Sequence, residues 1–275
     1  MYSNLSLWRI ISNESSYGKI GFYEEGNKQI SIFYRFLATV NMHIGTRLET
    51  IAALVPQGSK VADIGTDHAY LPVWLMEQGK ITEAIAGDIA AGPCQAARNT
   101  VAMYGLKDKI DVRQGSGLEV LQPGEVDCIT IAGMGGSTII SILEASMDVA
   151  VSAKTLVLQP MAGAAGLRRW LVEHGWRLAD EELVDDPPHF YEIICAVRGD
   201  DRNYSDAEYL VGPCVLQKRH ALLGKQLARQ LQGCRQLLEN MGRSERAKES
   251  AKYQQELEME KALEVLAYET GSNSK

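Results

Sequence analysis

Short apolar runs alternate with segments of helical periodicity between residues 42 and 199. The spacing of Leu48, Ile51 and Val55 predicts a first helix over residues 45–55. Strands are predicted at residues 60–64, 83–88, 110–113, 126–132 and 154–158, and further helices at residues 69–78, 91–104, 137–146 and 163–174. This alternation favours an α/β fold with a parallel, doubly wound sheet.

Two more apolar segments, residues 176–184 and 191–197, follow with no helical segment between them. The loop that joins them contains Pro187 and Pro188, so we expect an antiparallel hairpin at one edge of the sheet. A Rossmann-like, mostly parallel sheet that ends in an antiparallel edge hairpin resembles the class I methyltransferase fold and not the dinucleotide dehydrogenase fold. Residues 42–199 would form this domain.

The pattern changes after Gly199, where residues 200–206 are predicted to form a polar linker. Apolar residues then recur at steps of three, four and seven, which is a heptad-like seam. Its members are Leu216, Leu223, Leu227, Leu231, Cys234, Leu238 and Met241. A second helix is predicted over residues 244–268. Residues 200–275 are therefore expected to form an antiparallel helical hairpin, a coiled-coil arm that projects from the sheet domain.

Charge is distributed unevenly along the chain. The net charge is −7, yet residues 217–252 contain nine Lys or Arg and three Glu, so this segment carries +6 and the rest of the chain −13. A basic helical arm in an acidic protein favours binding to nucleic-acid phosphates. The candidate cations are Lys218, Arg219, Lys225, Arg229, Arg235, Arg243 and Arg246. The alternatives to phosphate binding are that this segment is a solvated helix face or a dimer seam.

Other parts of the sequence limit the class of protein. Residues 1–41 show no sustained period, so we expect a poorly ordered or dispensable extension, or a true start at Met42. The five cysteines form no CxxC pair, which argues against a metal site and a disulfide framework and favours a reducing cytoplasm. No apolar run approaches the roughly 20 residues that span a bilayer.

The turn after the first strand carries the main chemical signal. Residues 60–72 read KVADIGTDHAYLP, with Asp63, Gly65, Asp67 and His68 and no lysine after the strand. A nicotinamide site would read GxGxxG, but an acid stands at the second glycine and would repel a pyrophosphate. S-adenosylmethionine has no phosphate and carries two positive charges, so it suits this turn. The alternative is that Asp67 only caps a helix.

An acid also ends the second predicted strand. Asp88 lies about 20 residues past Gly65, where an acid binds ribose hydroxyls in nucleotide sites of this topology. The alternative is a cap for the helix that begins at Ala91. The pairing of Gly65 with Asp88 at this spacing is a stronger signal than either residue alone.

The turns after the third and fourth strands are rich in glycine. Gly115 and Gly117 in residues 114–118 allow close approach to an adenine, and Ser116 stands where an Asp often pairs with the adenine amino group. Residues 131–137 read IAGMGGS and predict a tight turn or a floor for a flat ligand.

The fourth turn also bears on the acceptor. Met134 can pack against a base or the cofactor, or can belong to the core. The NPPY-type tetrad with which exocyclic-amine methylases grip an amino group is absent from the sequence. This absence argues for a ring nitrogen or another acceptor.

Several motifs together resemble one family. VADIGTDHAYLP, AIAGDI, VRQGSGLEVL, DCITIAGMGGSTII, LVLQP and FYEII, in this order, are similar to the bacterial tRNA (adenine-22-N1)-methyltransferases, the TrmK family. The resemblance implies S-adenosylmethionine as methyl donor and N1 of an adenine in the tRNA D-arm region as acceptor. The candidate cofactor residues are Asp63, Gly65, Thr66, Asp67, His68, Asp88, Ile89, Gly115, Ser116, Gly117, Ala132, Gly133 and Met134. Ser116, Met161 and the loop at residues 186–190 depart from the family pattern.

The implied reaction suggests three catalytic candidates. Adenine N1 has a free lone pair, so no general base is required, and a carboxylate near the ring would stabilise the positive charge that develops there. We assign this role to Asp67. His68 and Tyr191 are further candidates, although His68 can be a hydrogen-bonding residue at the helix start and Tyr191 a strand aromatic. N1 lies on the pairing edge, so the base must be unpaired or flipped out.

The expected partner is tRNA, held by the basic arm through phosphate contacts. We expect no metal, no membrane association, and a monomer or weak homodimer. Two other functions stay open. One is a methyltransferase that acts on a small molecule or protein, and the other is a non-catalytic RNA-binding adaptor with a vestigial cofactor fold.

Overall fold

A seven-stranded sheet organises the computed structural model, which describes residues 42–271. Its strands are β1 Ser59–Ile64, β2 Ile81–Asp88, β3 Ile110–Gln114, β4 Cys128–Met134, β5 Thr155–Pro160, β6 Trp176–Asp186 and β7 His189–Arg198. Their order is β3-β2-β1-β4-β5-β7-β6, in which β7 pairs antiparallel with both β5 and β6 and the other pairs are parallel. This order confirms the predicted mostly parallel sheet with an antiparallel edge hairpin. The hypothesis about residues 1–41 lies outside the described residues.

Helices cover both faces of the sheet. They are α1 Gly45–Leu54, α2 Tyr70–Glu77, α3 Ala91–Met103, α4 Gly136–Ala145, α5 Met147–Ser152 and α6 Ala164–Glu173, with a 3₁₀ helix at Gly117–Val120. Side chains of β1 alternate between two hydrophobic cores, one on each face of the sheet. Val61 packs with α1 to α3, while Ala62 and Ile64 pack with α4 to α6. The short helix α5 and the 3₁₀ helix were not predicted, since neither is long enough to show a period.

The hairpin of β6 and β7 extends past the rest of the sheet. The last residue of β5 that pairs with β7 is Leu158, opposite Ile194. From Ile194 back to His189 the strand continues for five residues, or about 16 Å at the usual rise. Because β7 is antiparallel to β5, this extension projects beyond the carboxyl edge of the parallel strands, beside the position of a ligand in this topology.

The C-terminal region forms the expected helical hairpin, with different boundaries. Its helices are α7 Asp206–Val211, α8 Pro213–Gln217, α9 Leu223–Met241, α10 Glu245–Lys248 and α11 Ala251–Glu269. The predicted seam from Leu216 was wrong at its start, because a capping box at Ser205 and the Gly212–Pro213 pair create two short helices first. The predicted second helix is divided because Ser250 caps a new helix.

The base of the arm (α9 and α11) packs on the sheet domain. Leu227 of α9 and Leu263 of α11 belong to one apolar cluster with Leu183 of β6 and Val211 of α7. The arm is therefore joined to the edge hairpin by a shared core, and not only by the chain that connects them. None of the helices in residues 42–271 is both long and apolar enough to cross a bilayer.

Candidate active site

A cavity of about 190 Å³ opens at the carboxyl edge of the sheet, between α1 and the turn that follows β1. Its lining includes six of the predicted cofactor residues, together with residues of α1 and α2. The lining residues are Arg47, Leu48, Asp63, Gly65, Thr66, Asp67, His68, Tyr70, Leu71 and Ala132. Among the described residues, no group of three or more His, Cys, Asp or Glu side chains is placed to hold a metal ion.

Asp63 forms the buried acid of this cavity. Its two carboxylate oxygens accept hydrogen bonds from the hydroxyls of Thr66, at 2.7 Å, and Thr130, at 2.8 Å. Burial raises the pKa of Asp63, while the two hydroxyls and the Arg47 guanidinium act in the opposite direction. The hydrogen bond with Thr66 therefore fixes the turn between β1 and α2 beneath the cavity.

The turn itself has an unusual backbone. Asp67 and Ala69 both have positive φ values, 53° and 56°, which cost energy for residues other than glycine. Ala69 is the N-cap of α2 and no side chain caps this helix, so the interpretation of Asp67 as a helix cap was wrong. The Asp67 side chain is 71% exposed and Nε2 of His68 lies 3.5 Å from its Oδ1. An exposed carboxylate is thus held at the mouth of the cavity.

Asp88 and Ile89 lie at the end of β2. Oδ1 of Asp88 accepts the amide hydrogen of Ala90 at 2.9 Å, and the other oxygen accepts no hydrogen bond from the described residues. Asp88 does not cap α3, whose N-cap is Ala90. Ile89 is 69% exposed, which is unusual for a large apolar side chain. This pair offers a free carboxylate oxygen and an apolar surface, which suit a ribose and an adenine.

The glycine-rich turn after β4 serves two purposes. A Cβ on Gly136 would lie 2.6 Å from the carbonyl oxygen of Gly163, so this glycine permits close packing of α4. Gly133 has a φ of +76° and nothing within 4 Å of its Cβ position, so it faces open space. Met134 packs against the core, and a Cβ on Gly65 would clash with its Cε. The two predictions for this turn therefore apply to different glycines.

The turn after β3 is mostly structural. A Cβ on Gly115 would lie 2.7 Å from the Val120 side chain, and one on Gly117 would lie 3.0 Å from Ile142. Ser116 is exposed and its hydroxyl makes no hydrogen bond to the described residues. Gly115 and Gly117 thus allow the 3₁₀ helix to pack closely, and Ser116 is the accessible side chain of this turn.

Sequence reasoning missed two residues of the site, Arg47 and Gln159. Nη1 of Arg47 donates a hydrogen bond to Oε1 of the buried Gln159 at 2.8 Å, and the same oxygen accepts the amide of Gly133 at 3.1 Å. The Arg47 guanidinium also lies 5.4 Å from the ring centroid of Tyr191. Arg47 thus connects the cavity to Tyr191, the candidate most distant in sequence. A lone arginine on an amphipathic helix gave no signal of this role.

Most of the predicted phosphate-binding cations already have carboxylate partners. The pairs are Lys218 with Asp180 and Glu182, Lys225 with Asp185, Arg229 with Glu192, Arg235 with Glu260 and Glu264, and Arg243 with Glu239. Arg219 and Arg246 are exposed and form no ion pair with the described residues. Five Glu and one Lys in residues 253–269 also reduce the net charge of residues 217–269 to +2. The arm is therefore less basic than its first helix suggests.

Known proteins are similar to this chain in sequence and in fold. A methyltransferase domain family matches residues 44–194. The Bacillus subtilis tRNA (adenine(22)-N(1))-methyltransferase is 39% identical over 208 residues, which are 74% of this chain and 87% of the relative. The crystal structure of B. subtilis TrmK is 37% identical, with a TM-score of 0.73, and covers 84% of this chain and 99% of its own.

M. capricolum TrmK, solved with S-adenosyl-homocysteine, is 25% identical with a TM-score of 0.70, over 85% of this chain and 100% of its own. The matched domain, residues 44–194, includes every side chain that lines the cavity. By its sequence, its sheet order and the extent of these matches, the chain belongs to the tRNA (adenine(22)-N(1))-methyltransferase family, TrmK.

Proposed function

We propose that this protein transfers a methyl group from S-adenosylmethionine to N1 of the adenine at position 22 of tRNA. The B. subtilis relative carries this activity in its name, and the M. capricolum structure contains the demethylated cofactor product. The observation that carries the proposal is the set of acids at the carboxyl edge, Asp63, Asp67 and Asp88, with Arg47 as the cation that lines the cavity.

The chemistry of this edge fits the cofactor. Its acids suit the ammonium and sulfonium charges, and Arg47 suits the carboxylate. Asp88 would hold the ribose hydroxyls, and Ile89 would pack against the adenine, with Ser116 beside it. Gly133 faces open space and so leaves room for the cofactor to approach the main chain. When bound, S-adenosylmethionine supplies an electrophilic methyl group on its sulfonium sulfur.

The protein's part in the reaction is electrostatic and positional. Adenine N1 attacks with its own lone pair and no proton has to leave, so no side chain must act as a base. Asp67 stabilises the positive charge that develops in the adenine ring and accepts a hydrogen bond from its amino group. His68 orients Asp67, and Tyr191 borders the space for the base. Since N1 lies on the pairing edge, the adenine has to leave its pair before it reaches Asp67.

A direct assay tests this function. Unmodified tRNA is incubated with the protein and labelled S-adenosylmethionine, and the modified base is mapped by mass spectrometry. We expect 1-methyladenine at position 22 and no label in a tRNA with guanine at that position. Label at another nucleotide would contradict the proposed site. Calorimetry without detectable affinity for S-adenosylmethionine would contradict every enzymatic function and favour the adaptor.

Arg47 is expected to bind the cofactor carboxylate. Arg47→Ala should raise the Kd for S-adenosylmethionine by roughly 10- to 100-fold, because the variant cannot donate a hydrogen bond to this charged group. Calorimetry measures this change, and Arg47→Lys should retain part of the affinity through its charge. Arg98→Ala is the matched control, since Arg98 is exposed and, among the described residues, its side chain donates only to the backbone of Val112. An unchanged Kd for Arg47→Ala would show that Arg47 is only structural.

The arm is proposed to bind the tRNA backbone, chiefly through cations without a carboxylate partner. Neutralising Arg219 and Arg246 together, as the Gln variants, should weaken tRNA binding and lower the slope of log K against log salt by about one for each phosphate that is no longer neutralised. Arg235→Gln should change the slope less, because its guanidinium already meets two glutamates. Filter binding at several salt concentrations gives these slopes.

Equal slopes for all these variants would contradict a role of the arm in phosphate binding. Deleting the whole arm after Gly212 would be a poorer test. It would also remove the amide of Cys214, which donates to Glu181 at 2.8 Å, and Arg229, which pairs with Glu192. Charge variants leave these contacts in place.

We further propose a division into a catalytic domain, residues 42–199, and a tRNA-binding arm, residues 200–275. A cytoplasmic location suits the tRNA substrate, and we propose a monomer or weak homodimer. The five cysteines are buried free thiols, which suits a reducing compartment.

A further inference from the structure

We propose that His189 stacks on a nucleotide next to the target adenine and so positions the tRNA for methyl transfer. This inference rests on the proposed function and extends it to a second contact with the RNA. His189 is the first residue of β7 and belongs to the segment, residues 186–190, in which this sequence departs from the family pattern.

The two faces of β7 separate two sets of residues. Phe190 and Glu192 face the arm, where Arg229 lies 5.1 Å from the Phe190 ring centroid and 2.9 Å from a Glu192 oxygen. His189 and Tyr191 lie on the other face, because side chains alternate along a strand. Their ring centroids are 5.6 Å apart. His189 is thus free of the contacts that hold the arm.

These rings continue a row that begins in the cavity. Arg47 lines the cavity beside Asp67, and its guanidinium lies 5.4 Å from the Tyr191 ring. Tyr191 is half-buried and His189 is exposed, so the row runs outward along the extension of the edge hairpin. The His189 ring, at the outer end of this row, is therefore accessible from solvent.

The chemistry of RNA indicates which group would contact the exposed His189 ring. A flipped adenine leaves its neighbours partly unstacked, and proteins commonly stack such bases on aromatic or histidine rings. If the adenine lies at Asp67, the row from Arg47 to His189 leads towards the adjoining nucleotide. Stacking requires no particular base, so this contact would add affinity and orientation and not base identity.

Steady-state methylation measures the effect. We expect His189→Ala to raise the KM for tRNA about tenfold with kcat changed less than twofold, and His189→Phe to keep a KM near that of the wild type. His43→Ala is the control, because His43 is also exposed and its one ion pair within residues 42–271 is with Glu49, at 3.0 Å. Since His189 is exposed, its variants should keep the wild-type Tm.

A double-variant cycle identifies the nucleotide. Ligated tRNAs that lack the base at position 21, or at position 23, are assayed with the wild type and with His189→Ala. If His189 stacks on one of these bases, removing that base and changing His189→Ala affect the same contact. The combined loss of methylation should then be much smaller than the product of the two separate losses. Multiplicative effects at both positions, or equal losses in the Ala and Phe variants, would overturn the inference while leaving the proposed function intact. Absence of any methylation by the wild type would overturn the proposed function.

Discussion

Replacing Arg168 with alanine is expected to lower the free energy of unfolding by about 3–5 kcal/mol, the largest stability effect that we predict. The Arg168 side chain is fully buried and contacts the carboxylates of Glu181 and Glu192, at 2.8 Å for the latter, and the carbonyl oxygen of Tyr209. Alanine would leave the buried Glu181 without a compensating cation among the described residues, and Glu192 with Arg229 as its remaining partner. Urea unfolding followed by circular dichroism measures the loss.

The next residue along α6 provides a matched control. Arg169 is partly exposed and pairs at the surface with Asp206. Arg169→Ala should therefore cost only about 0–1 kcal/mol. Similar losses for the two variants would mean that the buried network does not hold the edge hairpin to α6. The comparison isolates burial, because both changes remove one guanidinium from the same helix.

Replacing Asp67 is expected to have the largest effect on activity. Asp67→Asn should lower kcat by about 10²–10³-fold, as the loss of one preorganised electrostatic group at a developing charge usually does. Asparagine is a cleaner first change than alanine, because Asp67 has a positive φ that asparagine tolerates better. The Kd for S-adenosylmethionine should change much less than kcat. Single-turnover methylation and calorimetry separate the two quantities.

The control for Asp67 is another exposed acid. Asp108 lies in the turn before β3, at the opposite edge of the sheet, so Asp108→Asn should retain full activity. Asp67→Asn should also keep the wild-type Tm, because its carboxylate caps no helix. Full turnover by this variant would show that the charge at Asp67 is not needed for methyl transfer.

The fold was predictable because its signals are local. Each strand of the parallel sheet is an apolar run that ends in a turn residue, and the structure places the ends of β1, β2 and β4 within two residues of the prediction. The helix α7 also had a local signal, since Ser205 and Glu208 form a capping box. The polar linker predicted over residues 200–206 includes Ser205, because no apolar period follows this short motif.

The candidate site was predictable only in part. Asp67 and Asp88 have a local signal because Asp67 lies in the turn after β1 and Asp88 ends β2, where this topology places ligands. Arg47 precedes the first strand, and its partners Gln159 and Tyr191 lie more than 100 residues away. No local pattern could reveal such contacts. The carboxylates that neutralise Lys218, Lys225 and Arg229 come from the edge hairpin, so the charge of the arm was also hidden from a window of sequence.

The paired cations of the arm change how RNA binding should respond to salt. A guanidinium that already meets a carboxylate, as Arg229 meets Glu192, has to leave this partner before it can neutralise a phosphate and release a cation condensed there. Contact with a phosphate then exchanges one anionic partner of the guanidinium for another. Added salt weakens both the ion pair with the carboxylate and the ion pair with the phosphate. Affinity for tRNA should consequently fall with ionic strength as expected for the few unpaired cations, and not for all nine that the basic segment contains.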